Sequence, residues 1–150
     1  MTSTTSPGRT LTGADVSVGD AVTPMSVKVT TTLIVAGAIA SRDYMPVHHD
    51  KDFATAQGSP DIFLNILTTN GLCVKFLHQW AGPEAMVAKL SVRLGVPAFP
   101  NSDLDFTGTV TAVEPDGDGH RVEIDLEGVN NLGKHVYGTA ALHLLDGPAR

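Results

Sequence analysis

Little in this chain invites a cross-link, a membrane or a polyanion. It has one cysteine, Cys73, so no internal disulfide can form and a reducing compartment fits. With no second thiol in the chain, Cys73 reads as a small helix residue packed against its neighbours. Charge is sparse. Only 17% of residues are charged, the net charge is -6, and the 10 Lys and Arg are scattered. No basic cluster forms, which argues against nucleic acid and against an anionic membrane surface as partners. The run Leu33 to Ala40 is far too short to span a bilayer. The first ten residues are Ser/Thr-rich around a lone Arg9, without the apolar core of a secretion signal, so a cytoplasmic protein is expected. There is no internal repeat.

What is present is an ordinary apolar fraction, 42% of 150 residues, enough for one domain with a real core. Residues 1–13 read as a flexible N-terminal tail, and residues 14–150 as a single domain. Met25 to Thr30 alternates apolar and polar and predicts a strand. Threonines 30 to 32 can cap a helix from about Leu33 to Ala40, which Arg42 to Pro46 then breaks. Asp50 can cap a short turn through Phe53 and Ala54. Ser59-Pro60-Asp61 predicts the start of a long helix running from Pro60 to about Trp80, stopped by Ala81-Gly82-Pro83. That helix is apolar on most sides and is therefore expected to be buried. Beyond it the period falls to two, with strand candidates at Lys89 to Gly95, Leu104 to Val113, Arg121 to Asn130 and Lys134 to Leu145. One strand, a long buried helix and an antiparallel meander suggest an α+β hotdog fold, in which the sheet wraps around the central helix.

The chemistry lies in Asp43-Tyr44-Met45-Pro46-Val47-His48. An acid and an imidazole on one tight turn can grip and polarise a water molecule. His78, His120, His135 and His143 lack ligand spacing, so no zinc site is expected. His49 reads as a surface or supporting residue, and Trp80 and Phe76 as core.

This stretch resembles the signature of the MaoC-like (R)-specific enoyl-CoA hydratases. In words, that signature is Gly-Asp-any-Asn-Pro-aliphatic-His, five residues, then Ala or Ser. Asp43, Pro46, Val47, His48 and Ala54 match; Arg42 and Met45 depart. Val18-Gly19-Asp20 and Leu90 to Pro100 extend the likeness. With Ala56-Gln57-Gly58-Ser59, Asp61-Ile62-Phe63, Asn65 to Thr68 and Trp80 to Pro83, the chain is similar to the small subunit of actinobacterial steroid side-chain enoyl-CoA hydratases, which share both departures. The resemblance implies syn addition of water to the 2,3 double bond of an enoyl-CoA thioester. The acyl group would be a steroid side-chain CoA ester, as in cholesterol degradation. It implies Asp43 and His48 as the catalytic pair, and an oxyanion-binding N–H at the position of Asn65. It implies no cofactor, and a larger MaoC/DUF35-type partner subunit in a heterotetramer, with a homodimer as the alternative. Two rivals stand beside it. One is a hotdog acyl-CoA thioesterase, for which Asp61 would be the carboxylate. The other is a non-catalytic supporting subunit.

Overall fold

The structure, a computed structural model, describes residues 8–147. Five strands form one antiparallel sheet: β1 (Ala21–Lys28), β2 (Met86–Leu94), β3 (Asp103–Asp116), β4 (Gly119–Asn130) and β5 (Gly133–Leu145). Their spatial order is β1-β3-β4-β5-β2. Three helices separate β1 from β2: α1 (Thr31–Ala40), α2 (Lys51–Ala56) and α3 (Ile66–Ala81). Short 3-10 turns occupy Gly13–Asp15 and Pro46–His48.

The strands follow from alternation. Along β4, Val122, Ile124 and Leu126 point inward and are buried. From the helix side Cys73, Phe76, Leu77 and Trp80 meet them, all buried. Phe76 and Phe106 pack ring on ring at 5.8 Å. Each large side chain buried this way contributes roughly 1.5–3 kcal/mol. The hairpin turns fall where the glycines do: Gly117 and Gly133 take positive φ at the β3–β4 and β4–β5 corners. The α+β hotdog expectation is met: a sheet curled around a buried helix.

Two expectations are corrected. The central helix does not start at Pro60. It starts at Ile66, with Asn65 as its N-cap accepting the Thr68 N–H at 3.0 Å. The stretch before it is extended, with alternate Ile62 and Leu64 buried and the Leu64 N–H donated to Ala98 O. Ser59 spends its hydroxyl on Asp61 O rather than on a helix start. An amide side chain with a first-turn donor to satisfy outcompetes a proline signal that also suits extended chain. Nor do residues 8–13 form a tail. Leu11 is buried and its N–H bonds Ala81 O at 2.7 Å, while Thr10 Oγ1 accepts the Glu84 N–H. This segment closes the end of α3. Residues 1–7 lie outside the described residues.

Cys73 sits fully buried on α3, where desolvation pushes its thiol up to about 11. The folded protein is therefore expected to leave Cys73 unmodified by a thiol-specific reagent near neutral pH, with full reaction on denaturation. A fast native reaction would contradict this burial.

Candidate active site

The site is built where α1 ends. Ser41 closes the helix, Arg42 takes a left-handed φ of 58°, and the Arg42 and Asp43 N–H groups return to Ile39 O and Ala38 O. This double return is a Schellman cap, which favours glycine at its left-handed position. The Gly-to-Arg departure in the signature thus keeps the glycine backbone while carrying a side chain. Arg42→Gly is expected to raise stability by about 1 kcal/mol, read as a higher denaturant midpoint at unchanged slope.

Asp43 leaves the cap facing His48. Its Oδ2 lies 3.3 Å from His48 Nε2 and accepts from Asn65 Nδ2 at 3.0 Å; its Oδ1 accepts the Met45 N–H at 3.3 Å. The Asn65 amide holds the Asp43 carboxyl below the usual carboxylate range. The Met45 N–H and His48 act in the same direction, against partial burial. Asp43 is ionised at neutral pH.

Pro46 opens the 3-10 turn that carries His48, whose ring is buried. His48 Nδ1 is 2.7 Å from Phe63 O, and Phe63 packs edge-on against the ring at 5.0 Å. A carbonyl only accepts, so Nδ1 carries the proton. In neutral His48, Nε2 then presents a lone pair beside an anionic oxygen. A water molecule beside the two, within reach of both Nε2 and Oδ2, can then donate to each.

Asn65 ties this corner together. Its Nδ2 also donates to Ser41 Oγ at 2.9 Å, and its Oδ1 is the cap of α3. The sequence reading assigns Asn65 an oxyanion N–H. The structure places Asn65 at that helix end, outside the helix by its extended ψ of 159°, with its side chain committed to Ser41 and Asp43.

A cavity of about 330 Å³ joins these groups: Asp43, His48, Asn65 and Ile66 on one side, Gly95 to Pro97 and His135 on the other. Sequence reasoning missed His135 as part of this wall and Thr69 as its buried partner, because they lie 66 positions apart on β5 and α3. It also missed Ser41. Asp61 stands apart. It is held by Lys51 Nζ at 3.0 Å and by its own link to the Ile62 N–H, and it precedes α3 rather than riding on it. That removes the carboxylate on which the thioesterase reading relied. His49 is exposed. No group of three or more His, Cys, Asp or Glu side chains suited to a metal ion occurs among the described residues. No helix there is long and apolar enough to cross a membrane.

Comparison with known proteins gives the family and the fold. The family model described as "MaoC like domain" matches residues 14–132. The chain is 46% identical over 115 residues to the 3-oxo-4,17-pregnadiene-20-carboxyl-CoA hydratase beta subunit of Mycobacterium tuberculosis, covering 77% of this chain and 86% of that one. Among solved structures, a chain of the ChsH1-ChsH2 complex from Mycobacterium tuberculosis superposes with a TM-score of 0.80 at 42% identity, over 85% of this chain and 98% of the other. The R-hydratase PhaJ1 from Pseudomonas aeruginosa superposes at 0.82 with 18% identity, over 92% and 88%, and shares the fold.

Proposed function

The chain belongs to the MaoC-like domain family, and from that premise we propose that it is the acid–base subunit of an enoyl-CoA hydratase acting on a steroid side-chain CoA ester. The observation that carries the reading is the Asp43–His48 pair, 3.3 Å apart, with Asp43 ionised and His48 Nδ1 committed to Phe63 O so that Nε2 faces the carboxylate.

A water molecule beside them donates one hydrogen to Asp43 Oδ2 and one to His48 Nε2. Its oxygen attacks the β-carbon of the enoyl thioester, and one of those hydrogens passes to the pair. The double-bond electrons move through the α-carbon onto the thioester oxygen. When they return, the α-carbon takes the proton from the same face. The net change is one water added syn, with the thioester intact. Negative charge on the thioester oxygen needs donors in place beforehand. The start of α3 supplies them. The N–H groups of its first residues have no intrahelical acceptor, and the helix dipole favours an anion there. Asn65 lines the cavity at this end, and its side chain is turned to Asp43.

The chain works with a larger MaoC-like partner, two copies of each, in the cytoplasm where its thioester substrate would be made. The cavity lies at the small end of ligand pockets, and a polycyclic acyl group needs a second wall. Ile66, which lines the cavity, and Tyr44, Met45 and Leu67, next in sequence to lining residues or one beyond, are about half exposed or more. β2 is an edge strand, and an unpaired edge seeks a partner. The test is co-expression with such a chain, following loss of the enoyl thioester with steroid and straight-chain substrates. Hydration of the steroid ester by the pair alone is expected. Release of free CoA, or equal activity of this chain alone on short straight chains, would overturn the assignment.

A further inference from the structure

Near the start of β5, where its register with β4 shifts, His135 is almost wholly buried. Its Nδ1 lies 2.7 Å from Val96 O and its Nε2 lies 2.9 Å from Thr69 Oγ1. Thr69 is fully buried on the first turn of α3. Its hydroxyl also lies 3.2 Å from Asn65 O, and its N–H bonds that same oxygen at 3.1 Å. Asn65 in turn donates to Asp43. The contacts therefore lead from the far cavity wall, Val96, through His135 to the Thr69 hydroxyl, and from the Thr69 N–H to Asn65 and the catalytic carboxylate.

Proton direction along this path is fixed at one end. Val96 O only accepts, so His135 Nδ1 donates, and the neutral ring accepts the Thr69 hydroxyl at Nε2. Burial lowers the basicity of His135, in keeping with a neutral ring. The lone pair of His135 is thus spent on Thr69, and a second imidazole beside the cavity is kept out of the chemistry. Its energetic role is geometric. A buried hydroxyl–imidazole contact left unmade costs more than an exposed one, so β5 and the N-terminus of α3 are held at one separation. That separation sets the distance between the Val96 wall and the Asp43–His48 turn.

We propose that Thr69 and His135 are positioning residues of the hydratase: a buried latch between β5 and α3 that fixes Asn65, and through it Asp43, against the substrate wall. The inference rests on the hydratase reading for its kinetic consequence and on geometry alone for the latch. The kinetic test uses the complex with the partner chain. Thr69→Val keeps the shape of Thr69 and removes the hydroxyl. Its kcat is expected to fall about 10- to 100-fold with KM little changed, because a mis-set acid–base pair slows the chemistry more than binding. Thr69→Ser should restore kcat. His135→Asn, which keeps a donor for Val96 O and loses the Thr69 contact, should behave as Thr69→Val does. Parent-like kcat in Thr69→Val would overturn the proposal whatever its thermal stability. Should the parent complex hydrate nothing, imidazole nitrogen NMR of the full chain still decides. The latch requires the Nδ1–H tautomer at His135 and a displaced His48 signal in Thr69→Val. An Nε2–H tautomer, or an unmoved His48 signal, rejects it.

Discussion

His48→Asn in the assembled enzyme will lower kcat for hydration by about 10²- to 10⁴-fold, the range that a positioned acid–base group supplies. Asparagine is the informative replacement because its amide can still donate to Phe63 O, the partner of His48 Nδ1. Alanine would strip that buried carbonyl of its donor, at about 1–3 kcal/mol, and confuse loss of chemistry with loss of fold. Asp43→Asn should fall by a similar factor, since it keeps the shape of the side chain but neither ionises nor accepts on both oxygens. In both variants circular dichroism and thermal unfolding should stay near the parent. Substantial turnover in both would remove the Asp43–His48 pair from the mechanism and return the chain to a supporting role.

The second large effect is expected at Asn65, a residue with three duties. Asn65→Ala removes the cap of α3, worth about 1 kcal/mol, frees Ser41, and takes from Asp43 the donor that does most to lower its pKa. The direction in pH follows. In the parent, the Asp43 pKa is lowered, so its stabilising contribution is present above the unfolded carboxylate value and is lost as pH falls through the folded one. Without Asn65 the folded pKa rises. The acid limb of kcat/KM should therefore move to higher pH, and the part of acid destabilisation due to Asp43 should shrink. An acid limb that stays in place would show that another group governs it.

These residues also mark what could be read in advance. Asp43, Pro46 and His48 are legible because the chemistry and the tight turn are local: six consecutive positions carry acid, base and the proline that bends them together. Asn65 could be placed near the site only through resemblance, and its real attachment differs. A backbone donor was expected; a side chain gripping Asp43, 22 positions away, is what the fold adds. The Pro60 start failed for a physical reason. Serine, proline and acid describe a first helical turn, yet here each finds another partner: Ser59 bonds Asp61 O, and Asp61 binds Lys51. The true cap, Asn65, is hidden inside an apolar run. Leu11 was lost to its polar surroundings, since a single leucine among Thr and Gly carries no period. His135 and Thr69 had no local signal at all. A histidine on a strand reads the same whether its partner is water or a threonine from a distant helix. The sheet was legible almost throughout, because alternation is a local property and the turns at Gly117 and Gly133 announce themselves.

One feature of the Schellman cap at Ser41 to Asp43 reaches beyond this site. The acid is placed by the way a helix ends, and the base by a 3-10 turn that begins at the next proline. Both belong to the continuous stretch between α1 and α3, while the sheet side contributes the opposite wall and, at His135, the latch. Reactivity and selectivity are therefore written on different parts of the chain. An engineer who redraws the wall around Gly95 to Pro97, just past β2, changes which acyl group is admitted and leaves the water-handling turn as it is where Val96 O keeps its bond to His135. Residues 41–69 moved as one cassette into another sheet of this shape would need a histidine at the place of His135 to carry the reaction without its substrate.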